Sequence, residues 1–166
     1  MIFNRNNLRA VIVVAASLFS ALTGNPAVAS GGSYGGPISA PEGNPQQDLT
    51  KAIEFINAEK YERAITLLKR VDRQVPQNAD VLNYLGYSYR KSGDQERGLL
   101  YYQKALRINP THPGANEYLG ELYLEMNDLP KAQERLDVLA SSCNDCTELH
   151  TLQNSIDAYK AAHPNI

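Results

Sequence analysis

The sequence predicts an all-α fold, a solenoid of three helix hairpins closed by one further helix. Three observations carry this. The chain matches itself when shifted by 34 residues: Tyr84-Leu85-Gly86 falls on Tyr118-Leu119-Gly120, Tyr89 on Tyr123, Asp94 on Asp128, Phe55 on Tyr89 and Pro76 on Pro110. Within a period, apolar residues recur at i, i+3 and i+7, as in Leu82, Leu85 and Tyr89, which places them on one side of a helix. Helix-ending residues also recur in register, so each period is punctuated twice.

The elements follow in chain order. Residues 1–29 read as a signal peptide. Arg5 and Arg9 form a positive start, Ala10 to Leu22 is uncharged and mostly apolar, Gly24 and Pro26 end the apolar run, and Ala27-Val28-Ala29 offers the small side chains that a signal peptidase accepts. The run is shorter than the roughly 20 apolar residues of a spanning helix, so cleavage after Ala29 and no membrane insertion afterwards are expected. The expected location is periplasmic, with secretion as the alternative. Residues 30–45 are rich in Gly, Pro and Ser and lack apolar periodicity, the mark of a tether that buries too little surface to order itself.

Three units follow, at 45–78, 79–112 and 113–146. In the middle unit Leu82, Leu85 and Tyr89 form the first stripe, and Leu99, Tyr102, Ala105 and Leu106 the second. Gly93 suits the left-handed turn that ends the first helix, and Asp94 caps the next. Unit three repeats this with Asn127 and Asp128, followed by Pro130 for the first turn of its second helix. Pro76 and Pro110 stop the second helices of units one and two. The small columns Gly86/Gly120 and Ala64/Gly98/Ala132 suit close approach between the paired helices. Unit one departs from the pattern, with Glu59-Lys60 at the turn. Beyond unit three, Leu149, Leu152, Ile156 and Tyr159 predict an amphipathic helix over 147–162 that covers the last apolar face.

Residues 79–112, with Leu-Gly, Tyr, Gly-Asp, Tyr, Ala and Pro at these spacings, resemble the tetratricopeptide repeat family. Leu82 stands where the family usually has Trp, and Gly98 where it has Ala. The resemblance implies a right-handed superhelix whose first helices line a concave groove for a peptide or partner helix. Residues in line across that groove are Leu49, Asn83 and Glu117; Ile53, Tyr87 and Glu121; Ile56, Arg90 and Leu124; and Asn57, Lys91 and Glu125. In one reading Arg90 and Lys91 hold a partner's carboxylate beside Tyr87. In the other they pair with Glu121 and Glu125 on the next helix.

Composition narrows the function. The formal net charge of -2 becomes −4 once Arg5 and Arg9 leave with the leader, which argues against a nucleic-acid binder. Cys143 and Cys146 are the one reactive-looking pair. In an oxidising compartment they form a disulfide staple, or alternatively a thiol-disulfide exchange site, although such sites usually sit in a βαβ context that is missing here. His112, His150 and His163 show no ligand spacing and read as solvated or capping residues; no metal site, cofactor or catalytic set is expected. The leading expectation is a non-enzymatic protein- or peptide-binding adaptor of the bacterial envelope. The alternatives are a redox protein using Cys143 and Cys146, and a self-assembling structural protein whose oligomeric state the residues leave open.

Overall fold

Asn44 opens the folded region. Its side chain accepts hydrogen bonds from the N–H groups of Gln46 and Gln47, and Pro45 supplies a helical φ at the first position. The computed structural model describes residues 43–164, so the expected leader at 1–29 and the tether up to residue 42 lie outside the described residues. The tether's expected end at residue 45 is too late. Gly43 accepts a hydrogen bond from Gln74 Nε2 at 3.0 Å, and with Asn44 it belongs to the first hairpin.

Among the described residues there are seven α-helices: α1 Pro45–Asn57, α2 Tyr61–Gln74, α3 Ala79–Lys91, α4 Gln95–Ile108, α5 Pro113–Glu125, α6 Leu129–Cys143 and α7 Thr147–Ala162. Their starts keep register, with α1, α3, α5 and α7 at 45, 79, 113 and 147, and α2, α4 and α6 at 61, 95 and 129. Each hairpin packs internally, α1 on α2, α3 on α4 and α5 on α6. The second helix of each hairpin then packs on the next first helix, as α2 on α3, α4 on α5 and α6 on α7. First helices also touch one another, α1 with α3, α3 with α5 and α5 with α7, so they line up along one face. This is an all-α hairpin solenoid, and α7 takes the place of a fourth unit's first helix.

The turns show why these sequences form these hairpins. Glu59, Gly93 and Asn127 all have positive φ, of 57°, 93° and 59°. Gly and Asn tolerate this region well; Glu59 holds it against the steric cost that a Cβ brings. Asp94 and Asp128 then accept from the N–H groups of Arg97 and Lys131, while Lys60 provides no side-chain cap. Unit one therefore lacks both devices at its inner turn. A bidentate ion pair ties its two helices together instead, Arg70 to Asp48 at 2.5 Å.

The predicted stripes supply part of the core, with Leu85, Tyr102, Leu152 and Ile156 fully buried, and Leu68, Leu122 and Leu139 from outside those stripes complete it. The small columns work differently from expectation. A Cβ on Gly86 would meet the Tyr102 ring of α4 at 2.6 Å, and one on Gly120 would meet Leu152 of α7 at 2.6 Å. These glycines thus receive large side chains, and Gly120 faces α7, not its hairpin partner α6. Gly98 does mark a close backbone approach, with the Arg90 nitrogen 3.2 Å from its ideal Cβ.

Candidate binding groove

The face shared by α3, α5 and α7 carries most of the predicted groove residues, and the helical period explains which of them meet. On α3, Asn83, Tyr87 and Arg90 recur at i, i+4 and i+7 and point towards α5. On α5, Gly114, Glu117 and Glu121 recur at i, i+3 and i+7 on the face that meets α3.

Arg90 is committed within the protein. Its Nη1 donates to Glu121 Oε2 at 2.8 Å, and its Nη2 and Nε donate to Glu125 Oε1 at 2.8 and 3.0 Å. Nη1 also reaches the Tyr118 carbonyl at 3.4 Å. Only 6% of the Arg90 side chain is exposed. Burial opposes its charge, but the bonds to Glu125 and Glu121 outweigh that and raise its pKa. The second of the two sequence readings is therefore the one realised for Arg90. Lys91 stays exposed, with its ammonium 5.8 Å from the centre of the Tyr87 ring.

Glu117 has the opposite fate. It is 9% exposed, and among the described residues nothing hydrogen-bonds or ion-pairs with its carboxyl. Burial first, then the neighbouring Glu121 and Glu148, push its pKa up to about 8, against the pull of Arg90. Asn83 is 6% exposed and its Oδ1 is buried without a partner. Its Nδ2 would lie 3.1 Å from a Cβ on Gly114, so the amide projects onto the same face of α5, one turn before Glu117.

An aromatic row floors this face. Ring centres are separated by 6.4 Å from Tyr61 to Tyr87, 4.9 Å from Tyr87 to Tyr118 and 6.3 Å from Tyr118 to Tyr102. Burial raises the phenol pKa values of Tyr87 and Tyr118.

Other predicted positions turn elsewhere. Leu124 is buried with Ala132, Leu139 and Ile156 in the last core cluster, so it does not line a groove. Leu49 and Ile56 are half-buried against the first core cluster, and Ile53 is half-buried on α1. Asn57 and Glu125 are exposed at the helix ends. The groove columns read from the sequence do not include Gly114, Tyr118 and Glu148. They sit in columns adjacent to those chosen, with Gly114 and Glu148 34 residues apart, and the same shift would have found them. Of the histidines, His112 is a buried cap. Its Nδ1 accepts from the Ala115 N–H at 3.1 Å, which leaves Nε2 to donate to Asp80 at 3.0 Å.

Cys143 and Cys146 form a disulfide with Cα atoms 5.6 Å apart, and both pack against the core cluster shared by α6 and α7. His150 turns to Asp145 at 2.6 Å. Among the described residues no group of His, Cys, Asp or Glu is placed to hold a metal ion, and no helix is long and apolar enough to cross a membrane.

Paired helices in a strict register, with first helices side by side and a shared polar-aromatic face, define a helical-repeat solenoid. The chain belongs to the tetratricopeptide repeat family: two models of that repeat match it, over residues 49–113 and 89–156. It is 35% identical over 85 residues to the probable biofilm formation methyltransferase WspC of Pseudomonas putida, covering 51% of this chain and 20% of that protein. It is 36% identical over 70 residues to the uncharacterized protein ycf37 of Pyropia yezoensis, covering 42% of this chain and 39% of that one. The matches thus span well under half of either relative.

Solved structures share the fold. The first TPR of Spaghetti (RPAP3), bound to the HSP90 peptide SRMEEVD, superposes with a TM-score of 0.65 at 14% identity, over 77% of this chain and 99% of that one. MamA does so at 0.65 and 18%, over 75% and 71%. The type III secretion translocator chaperone SycD of Yersinia enterocolitica does so at 0.64 and 15%, over 72% and 85%.

Proposed function

We propose that this protein is a non-enzymatic adaptor that holds an extended segment of a partner protein along the face of α3, α5 and α7, and that it works outside the cytoplasm of a bacterium. The observation that carries the reading is the polar-aromatic face itself. Tyr87 is half-buried between Tyr61 and Tyr118, with the exposed Lys91 beside it and the unpartnered Asn83 and Glu117 on the same side. Half-buried tyrosines with polar tips supply contact area at low entropic cost, the usual make-up of an interaction surface. A solved structure of the same fold, the first TPR of Spaghetti, is occupied by a peptide. The export reading rests on residues 1–29. The Cys143–Cys146 disulfide fits an oxidising compartment and serves as a staple between α6 and α7.

Site-specific photo-crosslinking tests the binding reading. A photoreactive residue at position 87 is compared in native cells with one at Gln103, exposed on α4. A discrete partner captured at 87 and absent at 103 supports the groove. Equal capture at both positions refutes it. Arg90 is left intact, because its removal perturbs the fold and not only the surface. N-terminal sequencing of the exported protein tests cleavage after Ala29.

A further inference from the structure

We propose that the groove is built to take a basic side chain, a lysine or arginine of the partner, which enters between α3 and α5 and is held by Glu117 with Asn83. This deepens the adaptor reading and rests on it. The argument starts from unspent acceptors. Asn83 Oδ1 on α3 is buried without a partner, a rare condition because it carries an uncompensated desolvation cost, and on the facing helix α5 Glu117, 9% exposed, makes no hydrogen bond or ion pair among the described residues.

The local charge balance points the same way. Glu121 and Glu148 both neighbour Glu117, while Arg90, the guanidinium on this face, already spends donors on Glu121, Glu125 and the Tyr118 carbonyl. A partner's acidic side chain would add to this repulsion. A cation supplies the donors that both acceptors lack and adds to the counter-charge that Arg90, bonded to Glu121 and Glu125, gives Glu117 only from a distance. Gly114 keeps the space beside Asn83 open, since any Cβ there would press on its amide. Tyr87 and Tyr118 offer ring faces along which the aliphatic stem of a lysine or arginine packs.

The charge state gives the site a signature. Glu117, raised to about 8, faces Tyr87 and Arg90 from α3, Tyr118 and Glu121 from α5, and Glu148 from α7. Capture of a cation therefore expels its proton, and binding strengthens as pH rises from 6.5 to 8.5.

The test is an array of octapeptides with randomised flanks and one fixed central residue, lysine, arginine, norleucine or glutamate, probed with the purified protein. The expected result is at least a fivefold preference for lysine or arginine over norleucine, with glutamate lowest. Glu117→Gln should reduce that preference below twofold. Glu96→Gln, which removes the same charge from the exposed start of α4, should leave it unchanged. Peptides that bind, compete with one another and are weakened by Tyr87→Ala, yet show no basic preference, overturn this inference and leave the groove standing. No binding of any peptide class overturns both.

Discussion

Replacing Glu117 by Gln should make the protein more stable near neutral pH, although a carboxylate is lost from a face that also carries an arginine. The carboxyl ordinarily titrates at 4.5 and in the folded protein at about 8, through burial and then through Glu121 and Glu148. Between those values the unfolded chain releases the proton while the folded protein retains it. The contribution of Glu117 is thus fully present below about 4.5 and is lost as the pH climbs to about 8. At about 1.4 kcal/mol per tenfold difference in proton affinity, the loss amounts to about 3 kcal/mol at pH 7 and at most about 5 kcal/mol above pH 8, where solvent screens part of it. Glutamine does not titrate, but its amide needs partners of its own, at a cost of about 1 kcal/mol. The variant should therefore be more stable than the parent by about 2 kcal/mol at pH 7, with the difference vanishing or reversing near pH 4.5. Urea unfolding at pH 4.5, 7 and 8.5, followed by circular dichroism, measures this. A stability difference between the two proteins that stays constant across that range would refute the burial argument.

Other perturbations follow from particular contacts. Arg90→Met should cost about 3 kcal/mol in urea unfolding, because it strands Glu121 and Glu125 without their counter-ion, and a loss below about 1 kcal/mol would mean that the pairs are solvent-screened. The figure sits at the low end for buried pairs because the Glu125 side chain is 40% exposed. Glu59→Asn with Lys60→Asp gives unit one the left-handed residue and helix cap that units two and three possess, and should stabilise it by about 1 to 2 kcal/mol. Hydrogen exchange should slow in α1 and α2 while α5 to α7 stay unchanged; uniform slowing would deny that the defect is local. Removing the disulfide by Cys143→Ser with Cys146→Ser should lower stability by about 2 kcal/mol, the chain-entropy value for so short a loop. That loss should appear as faster exchange in α7, and an unaffected α7 would count against a staple between α6 and α7.

Much of the architecture was legible in one dimension. A period of 34, stripes at i, i+3 and i+7, and turn residues in register are local patterns, and local patterns are what place helix starts at 45, 79, 113 and 147. Gly93 and Asn127 tolerate a positive φ, and Asp94 and Asp128 cap helices, wherever they occur, so their roles needed no tertiary knowledge. The family followed from the same register. The candidate face was legible as columns and not as contacts. Spacing put Asn83, Tyr87, Arg90, Glu117 and Glu121 opposite one another, but nothing in it separates an arginine that greets a partner from one consumed by Glu121 and Glu125. That depends on the distance between α3 and α5, which packing sets. The same packing turned Leu124 into the core, seated Leu152 of α7 over Gly120, and left Glu117 and Asn83 buried without partners. A repeat in sequence specifies equivalent positions. Their environments diverge because each unit meets different neighbours, so burial, and with it charge state and availability for binding, exists only once the hairpins are stacked.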